Sequence, residues 1–277
     1  MRVFLYILSV WHDPDTCEQG VPWVVDDSEI FFGPCKRRLR ASLRADYLRG
    51  QAHRDMSSDD VFVVGLNGAN AERLRKIIWV GKITSLMTFA HAWGTLNDPR
   101  YREMREDRYS PLHLQPLFES GQHTGYRLAS EQHLGQWLED LTAKLTSVTK
   151  NCVITDDEIK VNPGRSPSDV FERDACLLLE RRFVANGRGI DLSAPMLDIL
   201  RQVVPLRPDD SIDAYAVFGT RLDGSVEGKA GGWVELAGGL AERFIALVTR
   251  EADTIAALER QQEVGRVPVH ATGACDC

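Results

Sequence analysis

Residues 59–86 read DDVFVVGLNGANAERLRKIIWVGKITSL, and the way this stretch pairs with itself decides the fold. Its first part, Asp59-Asp60-Val-Phe-Val-Val-Gly65, is an apolar run preceded by acidic turn residues and closed by a Gly65-Leu-Asn-Gly68 turn, the pattern of a buried strand entering a hairpin. Residues 74–86 supply the partner strand. Gly81, in the middle of that partner, marks a bulge or the close approach of another backbone or a ligand. The partner runs directly into Thr88-Phe-Ala-His-Ala-Trp93, where a short helix is expected. Asn67 in the turn either presents its amide to a ligand or serves the Asn-Gly hairpin alone.

Upstream, residues 2–10 are rich in Val, Phe, Leu, Tyr and Ile and predict a first strand inside the same sheet. Residues 11–27 turn polar, with Pro14, Gly20 and Pro22, and read as a long loop; residues 28–32 predict a short second strand. Downstream, residues 94–128 are loop-rich. Residues 130–149 then place Leu134, Trp137, Leu138, Leu141 and Leu145 at helical spacing and predict an amphipathic helix packed on the sheet. Residues 152–161 read as a strand or hairpin, 175–185 as a strand, and 193–203 as a helix with Ser193 as its cap and Pro195 in its first turn. A short strand over 214–218 and a long helix over 240–261, with Phe244, Leu247, Val248, Ile255 and Leu258 on one face, complete the reading. Strands thus cluster before residue 90, with helices inserted between and after them. That order predicts an α+β domain on a small, partly closed sheet over residues 1–220, a C-terminal helical extension over 221–265 packed on it, and a flexible tail over 266–277.

With 277 residues, 43% of them apolar, the chain can bury a full core, and its net charge is −7. No apolar run approaches the roughly 20 residues of a membrane span, and residues 1–10 lack the cationic start and cleavage site of a secretion signal. The expectation is a soluble, cytoplasmic protein with no membrane partner. Cysteines at 17, 35, 152, 176, 275 and 277 form no Cys-x-x-Cys knuckle and read as reduced thiols. His270 with Cys275 and Cys277, and His12 with Asp13 and Asp15, come nearest to a metal set without completing one, so no metal is assigned. Gly65-x-x-Gly68 and the glycines of 228–239 fit neither a P-loop nor a dinucleotide fingerprint, and no cofactor is assigned.

The chemistry concentrates in residues 33–54, GPCKRRLRASLRADYLRGQAHR, where seven cations (Lys36, Arg37, Arg38, Arg40, Arg44, Arg49, Arg54) meet one carboxylate, Asp46. In an acidic chain such a block suggests one defined anionic partner, phosphate above all; the alternative is a solvated helix face. Helical spacing puts Leu39, Leu43 and Tyr47 on a packing stripe and Lys36, Arg40 and Arg44 on an available one. Cys35 beside these charges is a candidate nucleophile, or else a small buried residue at a strand end. Trp79, Trp93, Tyr101 and Tyr109 are candidate stacking surfaces for a base, with Trp79 as readily a core residue; Arg100 and Arg108 adjoin the two tyrosines. His91 and Asp98 can be drawn as an acid/base pair, against the alternative of a structural histidine.

Three stretches carry a resemblance. The first is Ile30-Phe-Phe-Gly-Pro-Cys35-Lys36-Arg37-Arg38-Leu39-Arg40. The second is Asp59-Asp60-Val-Phe-Val-Val-Gly65 with Lys76-Ile-Ile-Trp79-Val-Gly-Lys-Ile-Thr84, Thr88-Phe and Asp98-Pro-Arg100-Tyr101. The third is Leu177-Leu-Leu-Glu-Arg-Arg182-Phe183, followed by Gly187. In order and rough spacing they resemble the nucleotide modification associated domain group, most nearly its second type, found among phage and bacterial nucleic-acid modification systems. Arg37 stands where that group carries proline, and the residues from about 220 onward have no counterpart in it. The resemblance implies a small PUA-like barrel, related to ASCH and EVE domains, with flanking and inserted helices. Its cleft would take a base on aromatic rings while Arg and Lys hold phosphate. On that pattern the ligand-binding set is Lys36, Arg37, Arg38, Arg40, Asn67, Trp79, Trp93, Arg100, Tyr101 and Arg182, and the partner is DNA, RNA or a free nucleotide with a modified base. Two alternatives stay open: an enzyme using Cys35, His91 and Asp98 in the same cleft, and an interaction subunit forming a homo-oligomer through its long C-terminal helix.

Overall fold

A computed structural model of the chain describes residues 1–7, 22–33, 36–47, 51–66, 76–102, 114–120, 122–128, 153–154, 172–186, 189–204 and 232–265. Among the described residues the architecture is mixed α/β: a nine-stranded sheet that does not close, a three-stranded sheet, and four helices. The spine of the larger sheet is β6 (Lys76–Thr88), thirteen residues long. One of its edges pairs with β5 (Val61–Leu66) and then β4 (His53–Asp55). The other pairs with β10 (Ala175–Val184) and then β11 (Ile190–Asp191). β1 (Arg2–Ile7) lies parallel to β5, and β12 (Trp233–Ala237) runs antiparallel to β1 at one end of the sheet. Beyond β10 come β3 (Glu29–Phe32) and β2 (Trp23–Val24) at the other end.

The expected hairpin and its neighbours therefore share one sheet, because β1, β5 and β6 each bury nearly every side chain and such strands need partners on both edges and cover on both faces. The expected partial barrel closure is not what the described strands form. β12 pairs only with β1 and β2 only with β3, so the two end strands never meet. β12, within the expected extension over 221–265, pairs with β1 in the sheet. Within residues 94–128, read as loop-rich, β7 (Leu114–Glu119) and β8 (Gln122–Leu128) pair as a hairpin, with β9 (Val153–Ile154) beside β8. Ser120, at φ 50°, takes the left-handed turn position between them. The helix expected over 130–149, the strand over 214–218, and the tail cysteines lie outside the described residues.

Period-two alternation divides the core into two clusters. Ile30, Phe32, Leu177 and Leu179 enter the larger one, whereas Phe31, Cys176 and Leu178 point to the opposite face, where they meet Met87, Phe89 and Tyr101. Helix α1 (Arg37–Tyr47) buries Leu39 and Leu43 in the larger cluster, and α2 (Phe89–Thr95) buries Phe89 and Ala92 in the smaller. Thr88 caps α2 by accepting the His91 N–H at 3.1 Å. Ser193 stands at the N-cap of α3 (Ala194–Leu200), but its hydroxyl makes no capping bond. Helix α4 (Gly238–Gly265) follows β12 directly and buries Ala241, Phe244 and Val248.

Candidate functional site

The basic segment begins where β3 ends. Lys36 adopts φ 54°, a left-handed backbone that costs a non-glycine residue on the order of 1–3 kcal/mol and recurs at functional sites. Its carbonyl accepts the Arg40 N–H at 3.2 Å, the first bond of α1, but an ammonium cannot accept the helix's remaining amides as a capping side chain would. The ammonium lies 5.3 Å from the ring centre of Tyr6. Tyr6 belongs to a closed aromatic group with Phe32 and Trp79, with centroids 5.6–5.9 Å apart, in which the Trp79 indole N–H donates to the Tyr6 hydroxyl at 3.2 Å. Cation–π attraction, about 0.5–2 kcal/mol, offsets part of the backbone cost and holds Lys36 against the sheet.

The first turn of α1 contains no acidic residue and opens with Arg37 and Arg38. Cations at a helix N-terminus oppose the macrodipole, by about 0.3–1 kcal/mol each, so this end is electrostatically unsatisfied until an anion arrives. Arg38 is exposed, Arg44 is half-buried, and among the described residues neither forms an ion pair.

Arg40 departs from the expected available stripe. At 1% exposure it is among the largest fully buried side chains, donating to the Ala175 carbonyl and lying 5.5 Å from the Phe89 ring centre. Burial beside β10 makes it an anchor of α1 and removes it from any surface that could meet phosphate. Cys176, next to it, is fully buried, and burial pushes its thiol far above the ordinary range, so it stays protonated and inert.

The remaining candidates divide into separate places. Trp79 is wholly buried, its faces spent on Tyr6 and Phe32, and no base can stack on it in this conformation. Trp93 is half-buried on α2 against the smaller cluster. Tyr101 is buried, donating to Glu29 Oε2 at 2.5 Å and accepting from Arg100 Nη2 at 2.5 Å. Burial, followed by the Glu29 carboxylate, pushes its phenol well above the ordinary range. Arg100 also reaches Asp26 at 3.0 Å and Glu29 at 3.2 Å, so the Arg100–Tyr101 pair ties the turn before β3 to the segment after α2. The Ser28 hydroxyl and N–H, with Arg100, hold the Asp26 carboxyl down to about 2.

His91 stacks on His53, centroids 5.0 Å apart and planes 14° from parallel, while Asp98 is spent accepting the Arg100 N–H at 3.0 Å. Desolvation, then the neighbouring His53, lowers the His91 pKa below the usual imidazole value. The drawn His91–Asp98 pair is therefore not assembled. Arg182 lies on β10, bonded to Glu180 at 2.8 Å. Cys35 and Asn67 lie outside the described residues, as does the side chain of Arg37.

Tyr6 and Phe32 escaped the sequence reading as site residues because each sits inside an apolar strand run that reads as plain core. No local signal places them beside Lys36.

Among the described residues, no group of three or more His, Cys, Asp or Glu side chains is disposed to hold a metal ion, and no helix is long and apolar enough to cross a membrane. No protein-family model matches the chain, and neither a curated protein nor a solved structure matches it.

Proposed function

We propose that the protein binds a nucleotide or nucleic acid by its phosphate at the start of α1, and that it works beside nucleic-acid modification or phage defence as its resemblance to the nucleotide modification associated domains implies. One observation carries this reading: Lys36, Arg37 and Arg38 are gathered at the positive end of a helix whose first turn holds no carboxylate. Such an arrangement lowers stability unless a polyanion is the intended partner. The fold would then be a PUA-like variant with an open sheet, and the base, modified or not, would lie beyond the phosphate. Arg40 contributes by fixing the helix, not by touching the ligand.

The experiment is binding of fluorescent DNA and RNA oligonucleotides, with and without modified bases, by anisotropy, with free mononucleotides as competitors. Saturable binding weakened by Arg38→Ala is the expected result. Absence of binding to every nucleic acid and nucleotide would overturn the proposal. Mass spectrometry of the oligonucleotide after prolonged incubation should show an unchanged base, whereas a mass shift would establish an enzyme in its place.

A further inference from the structure

On the sheet face opposite the aromatic group, α4 has fully buried residues only in its first half, while Ala252 and Ile255 further along are partly buried against the core. Val248 is its last fully buried residue, and none of residues 249–261 is fully buried. The wedge left open is a cleft of about 340 Å³, floored by Phe62, Val80 and Phe183 and roofed by Val248 and Ala252, with Arg182 at its mouth. That volume falls within the ~300–1,000 Å³ of small-molecule sites.

A β-bulge builds the cleft. Arg181 pairs with Gly81 and Phe183 with Val80, so Arg182 is the extra residue of β10. In an unbroken pleat Arg182 would oppose Val80 and Phe183 would turn to the other face. The bulge instead brings Phe183 onto the face of Phe62 and Val80 with Arg182 beside it. Gly81 permits this, since a Cβ there would lie 2.9 Å from the Leu179 Cβ. The small side chain of Ala252 leaves the roof unfilled.

The charged lining of the cleft is Arg181, which Asp27 engages at 3.2 Å, Arg182, and the exposed Asp253 of α4, so arginines outnumber the carboxylate two to one. Arg182 is 47% exposed and gives Nη2 to Glu180 at 2.8 Å, while its other two nitrogens have no partner among the described residues. An exposed pair of this kind is worth at most ~1 kcal/mol and yields readily to a better-placed acceptor. A carboxylate or sulfonate carried on an apolar body can meet those donors while its body lies between the phenyl rings and α4. We infer that this cleft is a binding site for a small apolar monoanion, separate from the basic start of α1.

The test uses the full chain and two fluorescent probes, anionic 1-anilinonaphthalene-8-sulfonate and neutral N-phenyl-1-naphthylamine, titrated with near-UV circular dichroism as a check on native packing. One saturable site for the sulfonate is expected. Ala252→Trp, which fills the roof, should weaken both probes at least tenfold. Arg182→Gln should weaken the sulfonate several-fold and leave the neutral probe unchanged. If Ala252→Trp does not fold, Thr249→Trp at the exposed rim takes its place. No saturable binding, or binding indifferent to the filling variant in a native-like protein, overturns the site; equal response of the two probes to Arg182→Gln overturns the anion. Oligonucleotide affinity should be untouched by Ala252→Trp and by Thr249→Trp, so failure here is distinguishable from failure of the proposed function.

Discussion

Gly65→Ala should damage the core more than any other one-methyl addition on β5. Gly65 pairs with Trp79 across the β5–β6 ladder and with Tyr6 across the parallel β1–β5 ladder. A Cβ at position 65 would land on the indole ring, 2.8 Å from Cε2 and closer still to Nε1 and Cδ1. Trp79 has no slack to absorb this, being wholly buried between Tyr6 and Phe32. The ring is displaced and forfeits its bond to the Tyr6 hydroxyl, about 0.5–1.5 kcal/mol, and the strands shift around it at an overpacking cost of about 1–3 kcal/mol. Together these give ~2–4 kcal/mol, or a fall of roughly 4–16 °C in Tm for a protein of this size. Urea unfolding followed by tryptophan fluorescence measures it. In a Trp79→Leu background the same Gly65→Ala change should cost less than about 1 kcal/mol, because the clash has gone. A cost below ~1 kcal/mol in the parent protein, or additive costs in the double variant, would refute the close-approach argument.

Two further outcomes follow from the same contacts. Arg40→Ala should destabilise by ~2–4 kcal/mol through the lost charged bond to Ala175 and the lost packing of its stem, whereas Arg38→Ala should stay within about 0.5 kcal/mol; equal effects by urea denaturation would contradict the division between anchor and surface charge. His91, with its folded pKa lowered by desolvation and by His53, takes up its proton later than the unfolded chain does on acidification. Stability should begin to fall as pH drops through the unfolded value near ~6.5, level off below the folded value, and be restored above both; His91→Asn should flatten the fall, and an unchanged profile of urea midpoint against pH would count against it.

Strands with both faces buried were legible from their apolar runs: β1 and β5 are almost wholly apolar, and β6 and β10 carry the runs 77–80 and 175–179, which fit few other states. Gly81 was legible as the mark of a bulge or a close approach because those are the usual reasons for glycine in a strand centre. Gly65 was not, since glycine followed by Leu-Asn-Gly reads as a turn while its true constraint is an indole fourteen positions away. The β7–β8 hairpin was obscured by Pro116, which argues against a central strand, and β12 by its five-residue length after a glycine-rich stretch. Arg40 was misplaced because helical periodicity assigns arginine to the outside. The carbonyl that holds it inside is 135 residues away, at Ala175, and no local pattern points there. The candidate site was half legible: the charges were visible in one segment, while the aromatic group that seats Lys36 joins β1, β3 and β6 and exists only after folding.

The salt dependence of nucleic-acid affinity tests the central claim most directly. Each phosphate neutralised by a cation contributes about 0.7 (single strand) to 0.9 (duplex) to the slope of log K against log salt. Relative to the parent protein, Arg37→Ala/Arg38→Ala should lower that slope by roughly 1.4–1.8 and weaken binding at low salt, with urea stability undiminished or raised by up to about 2 kcal/mol as two cations leave the positive helix end. A parent slope near zero, or a double variant with the parent's slope and affinity, would contradict a phosphate site at the start of α1.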